Sequence, residues 1–324
     1  MIVVLAGGVG GARLARGILR VVGRDRLTVI VNTADDFEHL GLVISPDLDT
    51  VMYTLAGLEN PSQGWGLAGE TWSFMAAIAK LGGETWFRLG DRDLATHVER
   101  TRRLAAGATS SEVTSQLCAA LGIAARIMPM SDDRVRTIVH SDAGTLSFQD
   151  YFVRLQCAPR IHSIEFDGAA EAAANPAALA AMSDPALEAI VLAPSNPFVS
   201  VAPIFAIADL AKAVALRAVP LVAICPIVGG KAVKGPAAKM MAELGQDVSA
   251  LGVARHYRGL IDALVIDNAD REAAAAIRDL GLSVHVTDTI MADDDGRRRL
   301  AAETLAFAAE VRADGQWRTR GPID

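Results

Sequence analysis

Several things are missing from this chain of 324 residues, and each absence removes a class of protein. The longest apolar runs, such as Ala186 to Pro194 and Ala218 to Cys225, are broken by proline or charge well short of the ~18 residues a membrane-spanning helix needs. Cysteine is scarce: Cys118, Cys157 and Cys225 are odd in number, sit among apolar residues and show no CxxC spacing. A disulfide framework is therefore not expected, and the three read as core thiols of a reducing cytoplasm. Positive charge is in deficit, and the net charge of −7 argues against a nucleic-acid surface. Met1 leads straight into a strand-like run, with no basic segment and no room for a signal peptide ahead of it. No internal repeat is visible; the alanine-rich runs Ala169 to Ala181 and Ala273 to Ala276 read as helix of good propensity. A soluble, cytoplasmic α/β protein with a sizeable core is expected, with no membrane and no nucleic-acid partner.

What is there concentrates in the first fifty residues. Ile2-Val3-Val4-Leu5-Ala6 is a buried parallel strand by composition, and Gly7-Gly8-Val9-Gly10-Gly11 turns it sharply. Ala12, Leu14, Ala15, Ile18 and Leu19 then recur at helical spacing. A helix entered through glycines offers free backbone N–H groups and the positive end of its dipole, with no Cβ to hold an anion away. Gly8, Val9, Gly10, Gly11 and Ala12 are thus candidate phosphate-binding positions. Two familiar motifs are not met. A P-loop requires Lys and then Ser or Thr after the last glycine, where this chain has Ala12 and Arg13; the dinucleotide fingerprint finds Arg13 at its third glycine and Asn32 where an acidic residue belongs.

Acidic residues gather beside this loop. Asp35 and Asp36 follow the second strand, Leu27 to Val31, and Asp47 and Asp49 lie at a helix start marked by Pro46. Segments that follow successive parallel strands emerge on one edge of a sheet, so the glycine loop and both acidic clusters should share a crevice. Carboxylates facing a phosphate cradle repel the phosphate unless a hard divalent cation sits between them, which points to Mg²⁺ held by Asp35, Asp36, Asp47 and Asp49. The competing structural account has Asp47 and Asp49 favouring a helix dipole and Asp35-Asp36 in a solvated turn.

Further along, Glu70 to Lys80 and Asp93 to Ala106 are helical by periodicity, and Thr109-Ser110-Ser111-Glu112 is a capping box before Val113 to Leu121. Their loops hold Trp65, Trp72, Asp91, Arg92, Thr96 and His97, which can serve a ligand or, respectively, fill core and cap a helix. Val135 to His140 and Thr145 to Phe148 alternate as a hairpin across Ser141-Asp142-Ala143-Gly144, with Phe152 to Leu155 and Ile161 to Phe166 as further short strands. Ser131 leads into this element and either lines a pocket or makes a plain turn. Buried strands Ala189 to Leu192 and Leu221 to Cys225 end in Pro194-Ser195-Asn196 and in Gly229-Gly230-Lys231, where Ser195, Asn196 and Lys231 can meet phosphate or base oxygens. Strands at Ile261 to Asp267 and Leu282 to Val286 and a helix at Arg299 to Arg312 complete the chain; Asp293-Asp294-Asp295 lacks EF-hand spacing and reads as a solvated turn. The fold class is α/β, Rossmann-like and doubly wound on a mainly parallel sheet. Residues 1–324 are expected to form one domain, with a helical insertion over about 58–125 and a small antiparallel β insertion over about 126–167.

The run Leu5-Ala6-Gly7-Gly8-Val9-Gly10-Gly11-Ala12-Arg13, with Asn32-Thr33-Ala34-Asp35-Asp36 and Ser45-Pro46-Asp47-Leu48-Asp49-Thr50, resembles the 2-phospho-L-lactate transferases of deazaflavin coenzyme F420 biosynthesis. Trp65-Gly66-Leu67, Glu70-Thr71-Trp72, Gly90-Asp91-Arg92-Asp93-Leu94-Ala95-Thr96-His97, Pro129-Met130-Ser131-Asp132-Asp133, Ala193-Pro194-Ser195-Asn196-Pro197 and Cys225-Pro226-Ile227-Val228-Gly229-Gly230-Lys231 follow in the same order, to about residue 310. The resemblance implies a Mg²⁺-dependent transferase that moves a phospho-acid group from a guanylylated donor to the ribityl hydroxyl of the deazaflavin Fo, with GMP leaving. The acid is 2-phospholactate, phosphoenolpyruvate or 3-phosphoglycerate. It further implies catalytic Asp36 and Asp49, an acceptor side formed by Trp65, Trp72, Asp91, Arg92, Thr96, His97 and Ser131, and a homodimer. A regulatory protein of the same superfamily, binding a nucleotide-sugar without chemistry, is the alternative; a nicotinamide oxidoreductase fits less well because of Arg13 and Asn32.

Overall fold

In the computed structural model, which describes residues 1–315 and Trp317, the apolar runs become a seven-stranded sheet. Its strands are β1 (Ile2–Ala6), β2 (Leu27–Val31), β3 (Arg126–Pro129), β4 (Ala189–Leu192), β5 (Leu221–Ile224), β6 (Ala263–Asp267) and β7 (Ser283–Thr287). They lie in the order 3-2-1-4-5-6-7 and every pairing is parallel. The first six positions repeat the doubly wound dinucleotide-fold order, and the switch point lies between β1 and β4.

β1 shows why both faces must be apolar. Side chains alternate along a strand: Ile2, Val4 and Ala6 pack with Leu14 and Ile18 of α1 (Gly8–Val22), Leu48 and Met52 of α2 (Pro46–Ala56) and Leu300 of the last helix, Asp294–Asp314. Val3 and Leu5 face the opposite layer, with Ile204, Leu210, Met240 and Val253. All five residues of β1 are buried, so the sheet is covered on both sides, as a parallel sheet requires. Among the described residues no single helix is long and apolar enough to cross a membrane.

The last helix crosses α1 at close range. A methyl group built on Gly17 would sit 2.2 Å from the Arg297 carbonyl oxygen, so only glycine lets the two backbones meet there. Beside that contact Glu59, nearly buried, accepts Arg16 at 3.2 Å and Arg297 at 3.0 Å, and Asp294 accepts Arg16 at 2.7 Å. Removing one member of a buried ion set costs more than the set contributes, because its partners stay behind unpaired.

Several local expectations meet the structure with changes. The capping box is formed: Thr109 Oγ1 accepts the Glu112 N–H at 3.2 Å, and Glu112 accepts the Thr109 N–H at 2.8 Å, opening α5 (Ser110–Ala120). The helix expected from Glu70 starts at Ser73 (α3, Ser73–Lys80), because Asp91 reaches across from another loop and accepts the N–H groups of Ser73 and Phe74 at 3.0 and 2.9 Å. Phe152 to Leu155, expected as a strand, falls in a π-helical turn over Asp150–Arg154; Phe152 stacks on Phe148 at 5.3 Å instead of pairing its backbone. Asp293 caps the last helix by accepting the Gly296 N–H at 2.8 Å. Arg136–Ser141 pairs antiparallel with Gly144–Ser147 and Ile161–Asp167, whereas Arg126–Pro129 belongs to the main sheet beside β2. Cys118 and Cys225 are buried free thiols and Cys157 is half-buried and free.

Replacing Gly17 with Ala should lower Tm by several degrees, since relieving the overlap with Arg297 forces backbone movement costing about 1–3 kcal/mol. Scanning calorimetry decides it: an unchanged Tm means the interface of the two helices yields without cost.

Candidate active site

The strand order delivers the glycine loop and the Pro194-Ser195-Asn196 loop to the same crevice, at the carboxyl ends of β1 and β4. Gly7 is extended (φ −150°), and Gly8 turns the chain at φ +62° into α1, so Gly10 and Gly11 already lie in the first helical turn. Packing forbids larger residues: a methyl group on Gly10 would meet the Pro194 carbonyl oxygen at 2.4 Å, and one on Gly7 would meet Ser200 Cβ at 2.6 Å. Ser195 Oγ accepts the Gly7 N–H at 3.2 Å and donates to the Gly7 carbonyl at 2.8 Å, clamping the two loops. Asn196 accepts the Phe198 N–H at 2.9 Å, which opens a π-helical turn over Pro197–Val201. The N–H groups of Val9 and Gly10 have no side-chain partner among the described residues, as expected of the first turn of an uncapped helix.

The acidic residues arrive from two directions. Asp47 stands in the first turn of α2; its Oδ1 accepts the Gly8 N–H at 2.8 Å and its Oδ2 accepts Asn32 Nδ2 at 3.0 Å. The same amide reaches the Val199 carbonyl at 3.2 Å, and Asn32 Oδ1 accepts the Ala34 N–H at 2.9 Å. Asp35 Oδ1 accepts Thr137 Oγ1 at 3.1 Å, from the antiparallel element. Asp36 Oδ2 accepts Ser45 Oγ at 2.7 Å, while its Oδ1 is buried with no partner. None of Asp35, Asp36, Asp47 and Asp49 is more than 8 % exposed.

Burying carboxylates together makes them hard to ionise, as Asp35, Asp36 and Asp47 show. Burial, and then the charge of Asp47, hold Asp35 well above the usual carboxylate range. Burial raises Asp36 to about 7 against the hydrogen bond from Ser45, and Asp47 to about 6 against those from Asn32 and Gly8. Asp49 has a counter-ion. Arg100 grips both of its oxygens, one at 3.0 Å and the other in a closer contact, and both side chains are buried.

Arg100 comes from α4 (Asp93–Ala105), where Asp93, His97 and Arg100 share one face at helical spacing. His97 is 2 % exposed and lies between two carboxylates, 3.7 Å from Asp49 and 3.4 Å from Asp93. Tyr53, on α2, donates to Asp93 at 2.6 Å. One ligand atom each of Asp49, Asp93 and His97 falls within 4.8 Å of the others, a set that could hold a metal ion, although Arg100 already neutralises Asp49.

A cleft of about 260 Å³ opens beside Asp35 and Asp36, walled by Phe37, Arg136 and Phe148 among others. The other expected residues are spread more widely. Trp65 is 45 % exposed; Trp72 lies under Arg88 at 4.0 Å and packs in a minor core with Ile44, Met75 and Leu89. Asp91 caps α3, Arg92 donates to the Ala68 carbonyl at 2.6 Å, and Thr96 bonds to Tyr53. Ser131 donates to the Ala173 carbonyl at 2.6 Å and accepts the Asp133 N–H at 3.0 Å, which is the arrangement of a turn. Lys231 is exposed on the hairpin after β5 and forms no ion pair among the described residues. Asn32, Ser45, Tyr53 and Arg100, which meet the acidic residues directly, were not among the expected positions. Only Arg100 had a readable signal, its place one turn beyond His97.

A seven-stranded parallel sheet in doubly wound order, with a glycine-opened helix and buried carboxylates meeting at its switch point, defines the class as a Rossmann-like α/β protein. The chain belongs to the 2-phospho-L-lactate transferase CofD family, whose model matches residues 2–305. It is 44 % identical over 318 residues to a phosphoenolpyruvate transferase of Kitasatospora aureofaciens, covering 96 % of this chain and 98 % of the relative. It is 34 % identical over 309 residues to a 2-phospho-L-lactate transferase of Methanococcoides burtonii, covering 95 % and 100 %. A crystal structure of a UPF0052-family protein from Bacillus halodurans matches with a TM-score of 0.61 at 14 % identity, covering 94 % of this chain and 98 % of that one, and shares the fold.

Asp36 and Asp47 titrate in the folded protein near 7 and 6, above the 3.8 of an unperturbed Asp. The folded state therefore binds the extra protons; the stability they contribute is full below about pH 4 and is lost as pH rises through 6 to 7. Without divalent cations, Tm should fall between pH 5 and pH 8 on this account. Millimolar Mg²⁺ should restore it, by more at pH 8 than at pH 5. Thermal melts at the two pH values check this; equal Mg²⁺ gains at both would mean these carboxylates hold no cation.

Proposed function

We propose that the protein transfers a phospho-acid group from a guanosine diphosphate-linked donor to the ribityl hydroxyl of the deazaflavin Fo, in coenzyme F420 biosynthesis. The observation that carries this reading is the direct bond from the Gly8 N–H to Asp47, which makes the phosphate cradle and the acidic cluster one site. In the transfer the hydroxyl oxygen forms a bond to the phosphorus nearer the small acid. The bond from that phosphorus to the oxygen bridging to GMP breaks, GMP leaves with the electron pair, and the hydroxyl proton is released. Positioning and charge neutralisation carry most of such a reaction.

Carboxylate oxygens are the ligand chemistry Mg²⁺ takes, and Asp36 Oδ1 is buried without a partner, although among the described residues the four expected aspartates do not converge as Asp49, Asp93 and His97 do. Asp35, Asp36 and Asp47, which have no cation in contact, would hold the ion, while Asp49 is taken by Arg100; the ion would supply charge neutralisation at the transferring phosphorus. The first turn of α1, through the unpartnered N–H groups of Val9 and Gly10, would hold the diphosphate, Ser195 keeps that backbone in place, and Asn196 and Lys231 are assigned to the nucleoside. Trp65, Trp72, Asp91 and Arg92 of the loops, with Thr96 and His97 of α4, are assigned to the Fo side; His97 stands 3.7 Å from Asp49.

Asp36→Asn should lower turnover by two or more orders of magnitude while leaving Tm unchanged or raised, because it deletes a buried charge without stranding a partner. Asp49→Asn is a poorer probe, since it leaves Arg100 buried and unpaired. Mass spectrometry of the protein with Fo, Mg²⁺ and guanylylated 2-phospholactate, phosphoenolpyruvate and 3-phosphoglycerate measures both the product and its acid. Wild-type protein that forms no Fo phosphodiester from any of the three would sink the transferase reading.

A further inference from the structure

The cleft beside the acidic cluster is lined by charge of both signs. Asp35, Asp36 and Glu38 line it together with Arg134 and Arg136, which stand at the entry to the antiparallel element. The two arginines differ. Arg134 is exposed and already paired with Asp167 at 2.8 Å. Arg136 is half-buried and forms no ion pair among the described residues; its one hydrogen bond runs from Nη1 to the carbonyl of its chain neighbour Val135, at 2.8 Å. Asp36, Glu38 and Asp167 act on it only through their fields, and burial outweighs them, so the guanidinium is held below its usual basicity. A cation that is partly desolvated yet unpaired in a cleft wall is an unfilled binding position, since most half-buried guanidinium groups recover their desolvation through a carboxylate.

The ligand's chemistry follows from the rest of the cleft. Phe37 and Phe148 give it apolar lining, and Asp35 and Asp36, which also line it, belong to the carboxylates assigned above to the metal. A group next to the donor's phosphates, small, partly apolar and carrying its own negative charge, matches the apolar lining and Arg136. Phosphate itself is drawn to the acidic cluster by the cation there. What remains for Arg136 is a planar anion, for which the guanidinium's two parallel N–H groups are the fitting geometry.

We propose that Arg136 binds the carboxylate of the donor's acid moiety and so makes the enzyme select a phospho-acid over an uncharged phosphate ester. This rests on the transferase reading. It assigns to the antiparallel element, through the first residue of Arg136–Ser141, a part in donor selection.

The test compares guanosine diphosphate esterified at its terminal phosphate with the 2-hydroxyl of lactate against the same compound esterified with isopropanol, which replaces the carboxylate by a methyl group. Wild-type protein should favour the lactyl donor about 10- to 100-fold in kcat/KM, the range of a charged hydrogen-bonded pair, with most of the difference in KM. Arg136→Gln should lose that preference, read as the ratio of the two donors within each variant, and Arg136→Lys, which keeps the charge but not the fork, should fall between. A parallel calorimetric titration of the Mg²⁺-loaded proteins with 2-phospholactate and with isopropyl phosphate reads the same contrast without turnover. Arg136→Gln retaining the wild-type preference for the carboxylate, in either arm, overturns the assignment. Wild-type protein that transfers from none of the three guanylylated acids yet binds 2-phospholactate better than isopropyl phosphate, through Arg136, would sink the transferase reading and keep the carboxylate site.

Discussion

The carboxylate of Asp47 is the joint on which the site depends. Its two oxygens take the Gly8 N–H and the Asn32 amide, and so tie the loop after β1, the end of β2 and the first turn of α2 to one another. Asn32 extends the tie to Val199, beyond β4. Four segments far apart in sequence are thereby held around the switch point of the sheet. The same bonds keep a buried negative charge next to the positive end of α1, where a helix N-terminus offsets part of its cost.

That compensation is incomplete, and the shortfall is informative. Asp49 has Arg100 as a full counter-ion, whereas Asp35, Asp36 and Asp47 have hydroxyl, amide and N–H donors and no cation in contact. Hydrogen bonds lower a buried carboxylate's pKa, but here burial outweighs them. A stable protein keeps such a cluster at a cost to its own stability, as functional sites commonly do. The Asp93–His97–Arg100 face of α4 acts in the opposite sense, surrounding Asp49 with cationic and neutral donors and connecting it to Tyr53.

Much of this architecture is legible in the order of residues alone. β1, β2, β4, β5 and β6 are runs of four or five consecutive apolar or β-branched residues, the pattern of strands covered on both faces, and the glycine turn and Pro46 mark helix starts by local chemistry. Expectation and structure part where a distant partner decides a local conformation. Ser73 starts α3 because Asp91 caps it from another loop, and Phe152 leaves a strand-like pattern to stack on Phe148. Ser45, at the N-cap of α2, directs its hydroxyl to Asp36 and not to the helix it opens.

Local pattern along the chain sets the sheet's strands, the glycine-opened helix and the arrival of both acidic clusters at one edge, because period, turn chemistry and the handedness of parallel crossovers are local or nearly so. Which carboxylate is paired and which is left over is settled by tertiary packing. Asp47 and Asp49 are two residues apart in one helical turn, yet one faces Gly8 and the other Arg100, fifty-one residues away along the chain. Likewise nothing local to Arg134 and Arg136 says which would find an acid: Asp167 reaches the first and leaves the second unpaired in the cleft. Charge compensation in a low-dielectric interior depends on contacts within a few ångströms, and those distances are set by how distant segments pack.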